Sequence, residues 1–140
     1  MTVLDTNVVS EIMAGSPSAA AITWIERRRT ADDLFVTTIT VAEVLYGVEL
    51  LAMGKRREKL NSEAEAMFAE DFAGRILGFD EVAARRFAQI ASSRRKAGRP
   101  IAELDAQIAA IAYVHGAVLA TRNTGDFEGC GIRLVNPWVD

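Results

Sequence analysis

Five short apolar runs punctuate the chain, at Val3 to Asp5, Leu34 to Thr37, Arg75 to Phe79, Val118 to Thr121 and Ile132 to Val135. Between them lie stretches with helical spacing. One runs from the first strand to about Met13, ahead of Gly15, and a second starts at Ser16-Pro17-Ser18 and reaches about Arg29. Ile39 to Met53 is apolar nearly all round and stops at Gly54, whereas Lys55 to about Phe72 carries charges throughout and reads as exposed. Asp80 caps a helix that reaches Ala97. Gly98-Arg99-Pro100 breaks the chain before a last helix, Glu103 to His115. Strands that alternate with helices specify a mostly parallel sheet covered on both faces, an α/β fold. At 140 residues, 50% hydrophobic and 25% charged, the chain reads as one globular domain spanning 1–140.

The first strand ends in Asp5, and a carboxylate at the C-terminal edge of such a strand sits where open α/β sheets bind ligands. Three further acids, Glu43, Asp105 and Asp126, each stand at the edge of a core-forming element. Ile39, Glu43, Tyr46 and Leu50 form one helical stripe, opposite Val41, Val44, Leu45 and Val48. The helix is therefore expected to be buried, part of it covered by another chain rather than by the domain itself. An acid within it needs a cation, whether a metal ion or an arginine. Asp105 shares a face with Ala109, Ala112 and Gly116, small residues that let a helix lie close to a sheet; alternatively it is a favourable charge near the helix N-terminus. Asp126 either completes a site with Asp5 or organises a turn beside Gly125. Thr121 and Asn123 are neutral oxygen donors nearby. Asn7 is either an amide that orients a ligand or a polar residue of a first helical turn.

The remaining chemistry is narrow. Cys130 is the lone cysteine, read as a loop or partly buried thiol, and His115 the lone histidine, at a helix end. Disulfides, cysteine zinc cages and histidine-based triads are therefore disfavoured. Carboxylate oxygens without sulfur or imidazole suit hard Mg²⁺ or Mn²⁺. Such ions activate water and stabilise phosphoryl charge, which fits phosphodiester hydrolysis. The net charge of −3 turns into +1 once the four acids are set aside, and eleven of the 16 Lys and Arg residues cluster at Arg27 to Arg29, Lys55 to Lys59 and Arg94 to Arg99. These clusters are either solvated helix ends or a rim that holds phosphates. The longest apolar stretches, such as Ile108 to Val114, fall short of a membrane span and the N-terminus lacks a signal peptide's basic region, so a cytoplasmic protein is expected.

Four motifs in order, V-L-D-T-N at the start, T-V-A-E-V-L-Y-G around Glu43, D-A-Q-I-A-A-I-A from Asp105 and A-T-R-N-T-G-D-F near the end, resemble those of PIN-domain proteins. The closing V-N-P-W is similar to the FitB branch of the VapC-type toxins. The resemblance covers nearly the whole chain. It implies a three-layer α/β/α sandwich with a mostly parallel central sheet and an Mg²⁺- or Mn²⁺-dependent endoribonuclease. It also implies a homodimer and a cognate antitoxin, joined in a larger complex that binds operator DNA through the antitoxin. Asp5, Glu43 and Asp105 match the family's three central acids. Many relatives carry an acid where this chain has Asn123, with Asp126 three residues later, so either can complete the metal site. Asp5, Glu43, Asp105 and Asp126 are thus the expected catalytic and metal-binding set, with Asn7, Thr121 and Asn123 in support and Arg122 toward an RNA phosphate. Two other readings remain: a module of the same fold that binds RNA or antitoxin without cutting, and a phosphoacceptor domain on Asp5 in which Glu43 has no role.

Overall fold

The computed structural model describes all 140 residues. Five strands, β1 (Thr2–Leu4), β2 (Leu34–Thr37), β3 (Ile76–Leu77), β4 (Val118–Ala120) and β5 (Leu134–Val135), form one sheet in the order β3-β2-β1-β4-β5. Every pairing is parallel, so the expected mostly parallel sheet is wholly parallel. Each strand alternates its residues between two cores. Leu4, Leu34, Val36 and Ala120 face one apolar cluster, while Val3, Phe35 and Leu119 face the other. On the first face lie α1 (Thr6–Ile12), α2 (Ala19–Ala31), α3 (Thr38–Glu49) and α4 (Lys55–Ala66). On the second lie α5 (Glu81–Lys96) and α6 (Glu103–Val114), giving the three-layer sandwich. No helix is long and apolar enough to cross a membrane.

Local chemistry sets the element ends. The Ser18 and Asp80 side chains accept hydrogen bonds from the Ala21 and Ala83 amides, 3.4 and 2.9 Å, and so cap α2 and α5. His115 closes α6, and Gly116 follows at φ +62°; the Ala117 amide returns to the Ala112 carbonyl at 2.9 Å and that of Gly116 to Tyr113 at 3.0 Å. That double bond pattern needs a left-handed residue after the helix, which glycine supplies without strain. Gly116 therefore terminates the helix and does not extend its small-residue face.

Two helices depart from expectation. The segment after Lys55 is not exposed throughout: Ala64, Met67, Phe68 and Phe72, spaced on one stripe, are buried beneath α4 and the π-helical turn Met67–Asp71 that follows it. Nor is α3 buried all round. Val41, Val44, Leu45 and Val48 pack inward, but Tyr46 and Leu50 are about two-thirds exposed and Met53 more so. As an outer-layer helix, α3 has only one face against the sheet, and its second apolar stripe is left uncovered.

On α6, Ala106, Ala109, Ala110 and Ala112 are fully buried, which allows the helix to lie close to its neighbours. An Ala109→Leu variant is expected to lose about 1–3 kcal/mol through overpacking, read as a lower urea midpoint; an unchanged midpoint would show that α6 is loosely seated.

Candidate active site

The strand order reverses between β1 and β4, and ligand crevices form beyond the carboxyl ends of strands at such a point. β1 delivers Asp5 there, and β4 delivers Thr121. The Asp5 amide donates to the Ala120 carbonyl at 2.9 Å, while its side chain accepts from the Thr6 amide at 2.8 Å at the start of α1. Buried Thr121 donates its hydroxyl to Asp5 Oδ2 at 2.8 Å. Asn7 adds a donor to the same oxygen at 3.2 Å, and its own carbonyl oxygen accepts the Arg122 amide at 3.2 Å. Asn7 is thus an orienting amide that ties α1 to the loop after β4.

Glu43 reaches the crevice from α3 and meets no arginine. Thr6 Oγ1 donates to Glu43 Oε1 at 2.8 Å and lies 2.9 Å from Thr40 Oγ1, which in turn is 3.5 Å from the Thr37 hydroxyl. A hydroxyl has one proton, so with Thr6 committed to Glu43, Thr40 donates to Thr6 and Thr37 to Thr40. This row of hydroxyls points every proton toward the carboxylate. Thr37 also caps α3 by accepting from the Thr40 amide at 3.1 Å.

Asp105 stands in the first turn of α6, and Asp126 in the 3₁₀ turn Thr124–Phe127. With Asp5, Glu43, Asn7 and Asn123 they line an open cavity of about 410 Å³ that contains no lysine or arginine. Burial holds the Asp5 carboxyl above its ordinary range against the Thr121 and Thr6 hydrogen bonds, and Glu43 and Asp126 push it the same way. Asp105 has no hydrogen bond to offset its desolvation. Burial, then the charges of Asp5, Glu43 and Asp126, raise it to about 6. The donor set is hard oxygen throughout, which fits Mg²⁺ or Mn²⁺ by chemistry. As placed, however, no three acids converge closely enough to hold an ion, so the fit is one of donor type and charge and not of a closed cage.

Arg122 lies outside this lining; its guanidinium is 5.0 Å from the Trp138 ring centroid. Sequence reasoning missed Thr6, Ser10 and Glu11, which also line the cavity, although Glu11 is engaged by the Ser18 amide at 2.6 Å. Thr6, Asn7, Ser10 and Glu11 form the polar stripe of α1, a spacing that could have revealed them. His115 is exposed at the end of α6, and Cys130 is more buried than expected, 2% exposed within the second core.

A PIN-domain family model matches residues 2–129. The chain is 41% identical to "Toxin FitB" of Neisseria gonorrhoeae over the full length of both, and 38% identical to "VapC ribonuclease Y4jK" of Sinorhizobium fredii over 99% of this chain and 98% of that one. Its fold superposes on the structure of FitAB bound to the IR36 DNA fragment with a TM-score of 0.91 at 40% identity, covering 99% of this chain and 96% of the other.

The raised Asp105 carboxyl makes a stability prediction for the ion-free protein. Between its ordinary 3.8 and about 6, the folded chain keeps this proton while the unfolded chain loses it. Folding is therefore disfavoured progressively as pH rises through that window, and the penalty is full above it. Asp105→Asn is expected to raise the Tm of the ion-free protein near pH 7 and to leave it almost unchanged near pH 4, by differential scanning calorimetry; a lower Tm near pH 7 would contradict the repulsion.

Proposed function

The chain belongs to the PIN-domain family, and from that premise we propose that it is the toxin of a toxin–antitoxin pair, an endoribonuclease that hydrolyses RNA phosphodiester bonds with Mg²⁺ or Mn²⁺. The observation that carries the reading is the cavity lined by Asp5, Glu43, Asp105 and Asp126 with no cation among its walls. Relatives named as a toxin and as a ribonuclease, matched over essentially the whole chain, support it.

Asp5, Glu43 and Asp105 would hold the ion, with Asp126 or Asn123 completing the set. Bound there, the ion supplies activation of water and neutralisation of phosphoryl charge. Thr121 and Asn7 fix the Asp5 carboxylate in one orientation, and the Thr37-Thr40-Thr6 row does the same for Glu43. Orientation by such partners commonly accounts for about 10–100-fold in metal affinity or activity. With no histidine beside the cavity, no side-chain imidazole is available as the base. Arg122, whose guanidinium lies beside the Trp138 ring, would contact an RNA phosphate. Acting on RNA alongside a cognate antitoxin, the protein would work in the cytoplasm.

A second reading, a module that binds RNA or antitoxin without cutting, is favoured by the amide at Asn123 and by the open spacing of the acids. In that case an arginine from the antitoxin would neutralise the pocket. End-labelled RNA decides between them. Cleavage is expected with Mg²⁺ or Mn²⁺, to stop under chelation, and to fall by more than about 100-fold in Asp5→Asn and Asp105→Asn, beyond the loss expected of supporting partners such as Thr121. Full cleavage by both variants under chelation sinks the nuclease reading; ion binding without turnover favours the second.

The uncovered stripe of α3 and the surface of exposed Ala19 and Ala20 beside half-buried Trp24 on α2 would be the surfaces offered to a second copy and to an antitoxin. Sedimentation at micromolar concentration is expected to return a homodimer, weakened by Leu50→Glu. A strictly monomeric mass for the unaltered protein would contradict self-association.

A further inference from the structure

We propose that Arg94 is the positioning residue that fixes Asp126 against the acidic cavity, a role that rests on the nuclease reading above. Arg94 sits in the last turn of α5, where basic residues are ordinarily solvated and complement the helix dipole. Its neighbours Arg95 and Lys96 do so, but Arg94 is only 7% exposed. No carboxylate pairs with it. A buried charge in that position must be satisfied by other groups.

Those groups are backbone carbonyls of one loop and one turn. Nε donates to the Arg99 carbonyl at 2.7 Å; Nη1 donates to the carbonyls of Asp126 and Glu128 at 2.8 and 2.9 Å and lies 3.6 Å from Cys130 Sγ. One guanidinium thus ties the turn after α5 to the segment that carries Asp126. From the other side, Phe127 is 1% exposed and anchored in the core. The backbone at 126–128 is therefore held twice, which leaves the Asp126 side chain directed at the cavity, where it raises the carboxyls of Asp5 and Asp105. Arg94 itself is not part of the cavity lining, so it can brace the acid from behind without occupying the place of a cation. A lysine cannot take its place, because a single ammonium does not reproduce the planar fork that meets three carbonyls.

The test is a double-mutant cycle with Arg94→Met and Asp126→Asn, read by Mn²⁺ titration and by Mn²⁺-dependent RNA cleavage. Arg94→Met is expected to weaken Mn²⁺ binding and to lower kcat by roughly 10–100-fold, the range for lost supporting partners, with KM for RNA changed by less than about twofold. In the Asp126→Asn background the same substitution should add less than about a further twofold, because both changes remove one function. A folded Arg94→Met protein with unaltered kcat and Mn²⁺ affinity overturns the role, as do losses that multiply in the double variant. Cleavage by the unaltered protein with no effect of Arg94→Met sinks the Arg94 role alone. Mn²⁺ binding without cleavage sinks the nuclease reading and leaves the titration to judge Arg94, whereas absence of Mn²⁺ binding by the unaltered protein overturns both. Should the variants not fold, ¹⁵N NMR of the unaltered protein decides. The Arg94 Nε–H is expected as a discrete, slowly exchanging signal with cross-peaks to the backbone around Arg99, and the Nη1 protons as slowly exchanging signals with cross-peaks to the 126–130 backbone; averaged, solvent-exchanged signals overturn the clamp.

Discussion

Mutual repulsion among carboxylates that no protein cation neutralises is the constraint on which the site depends. Asp5, Glu43, Asp105 and Asp126 come from four separate elements, yet a wholly parallel sheet brings them to one crevice where its strand order reverses. Water alone solvates such a cluster poorly once it is partly buried, and the raised carboxyls of Asp5 and Asp105 express that cost. The protein tolerates it by supplying neutral donors in place of cations: Thr121 and Asn7 to Asp5, and a row of three threonines ending at Glu43. Neutral donors orient a carboxylate without cancelling its charge. The pocket is therefore less stable than a salt-bridged one would be, and it stays available to a cation.

Much of this was legible in the sequence where it followed from periodicity. Short apolar runs between helical stretches specified the parallel sheet, and Asp5 at the end of the first run fixed the place of the crevice. Glu43 stood out because a carboxylate is costly on an apolar helix, and Asp105 because of the alanines on its face. The partner of Glu43 was not legible. A cation, arginine or metal, is what its burial demands; no arginine meets it, and the hydroxyl that orients it is that of Thr6, a contact that depends on how α1 and α3 cross and not on spacing within either. The exposure of Tyr46 and Leu50 has a related cause: a helix apolar on two faces reads as buried, but one chain has a sheet to cover only one of them, which leaves the other stripe for a second chain.

Arg94 shows the limit from the other direction. Read as one of a basic cluster at a helix end, it looks solvated. Yet Ala83, Ile90 and Arg94 recur on the buried stripe of α5, so the helical period already places this arginine inward. What periodicity could not supply is its partners, three carbonyls and a thiol drawn from two loops. The second of these loops contains Asn123 and Asp126, the part of the site where family resemblance left two alternatives. Both line the cavity, but only the segment at Asp126 is gripped from behind by a buried guanidinium.

In the proposed function this cluster takes up a divalent cation. Titration of Mn²⁺ followed by electron paramagnetic resonance tests it without recourse to RNA, antitoxin or turnover. The signal of the aquated ion should fall on addition of the protein, as ions bind the cavity, and should be restored when Asp105→Asn replaces the unaltered chain. A free-ion signal that persists undiminished in an excess of folded protein would contradict the account.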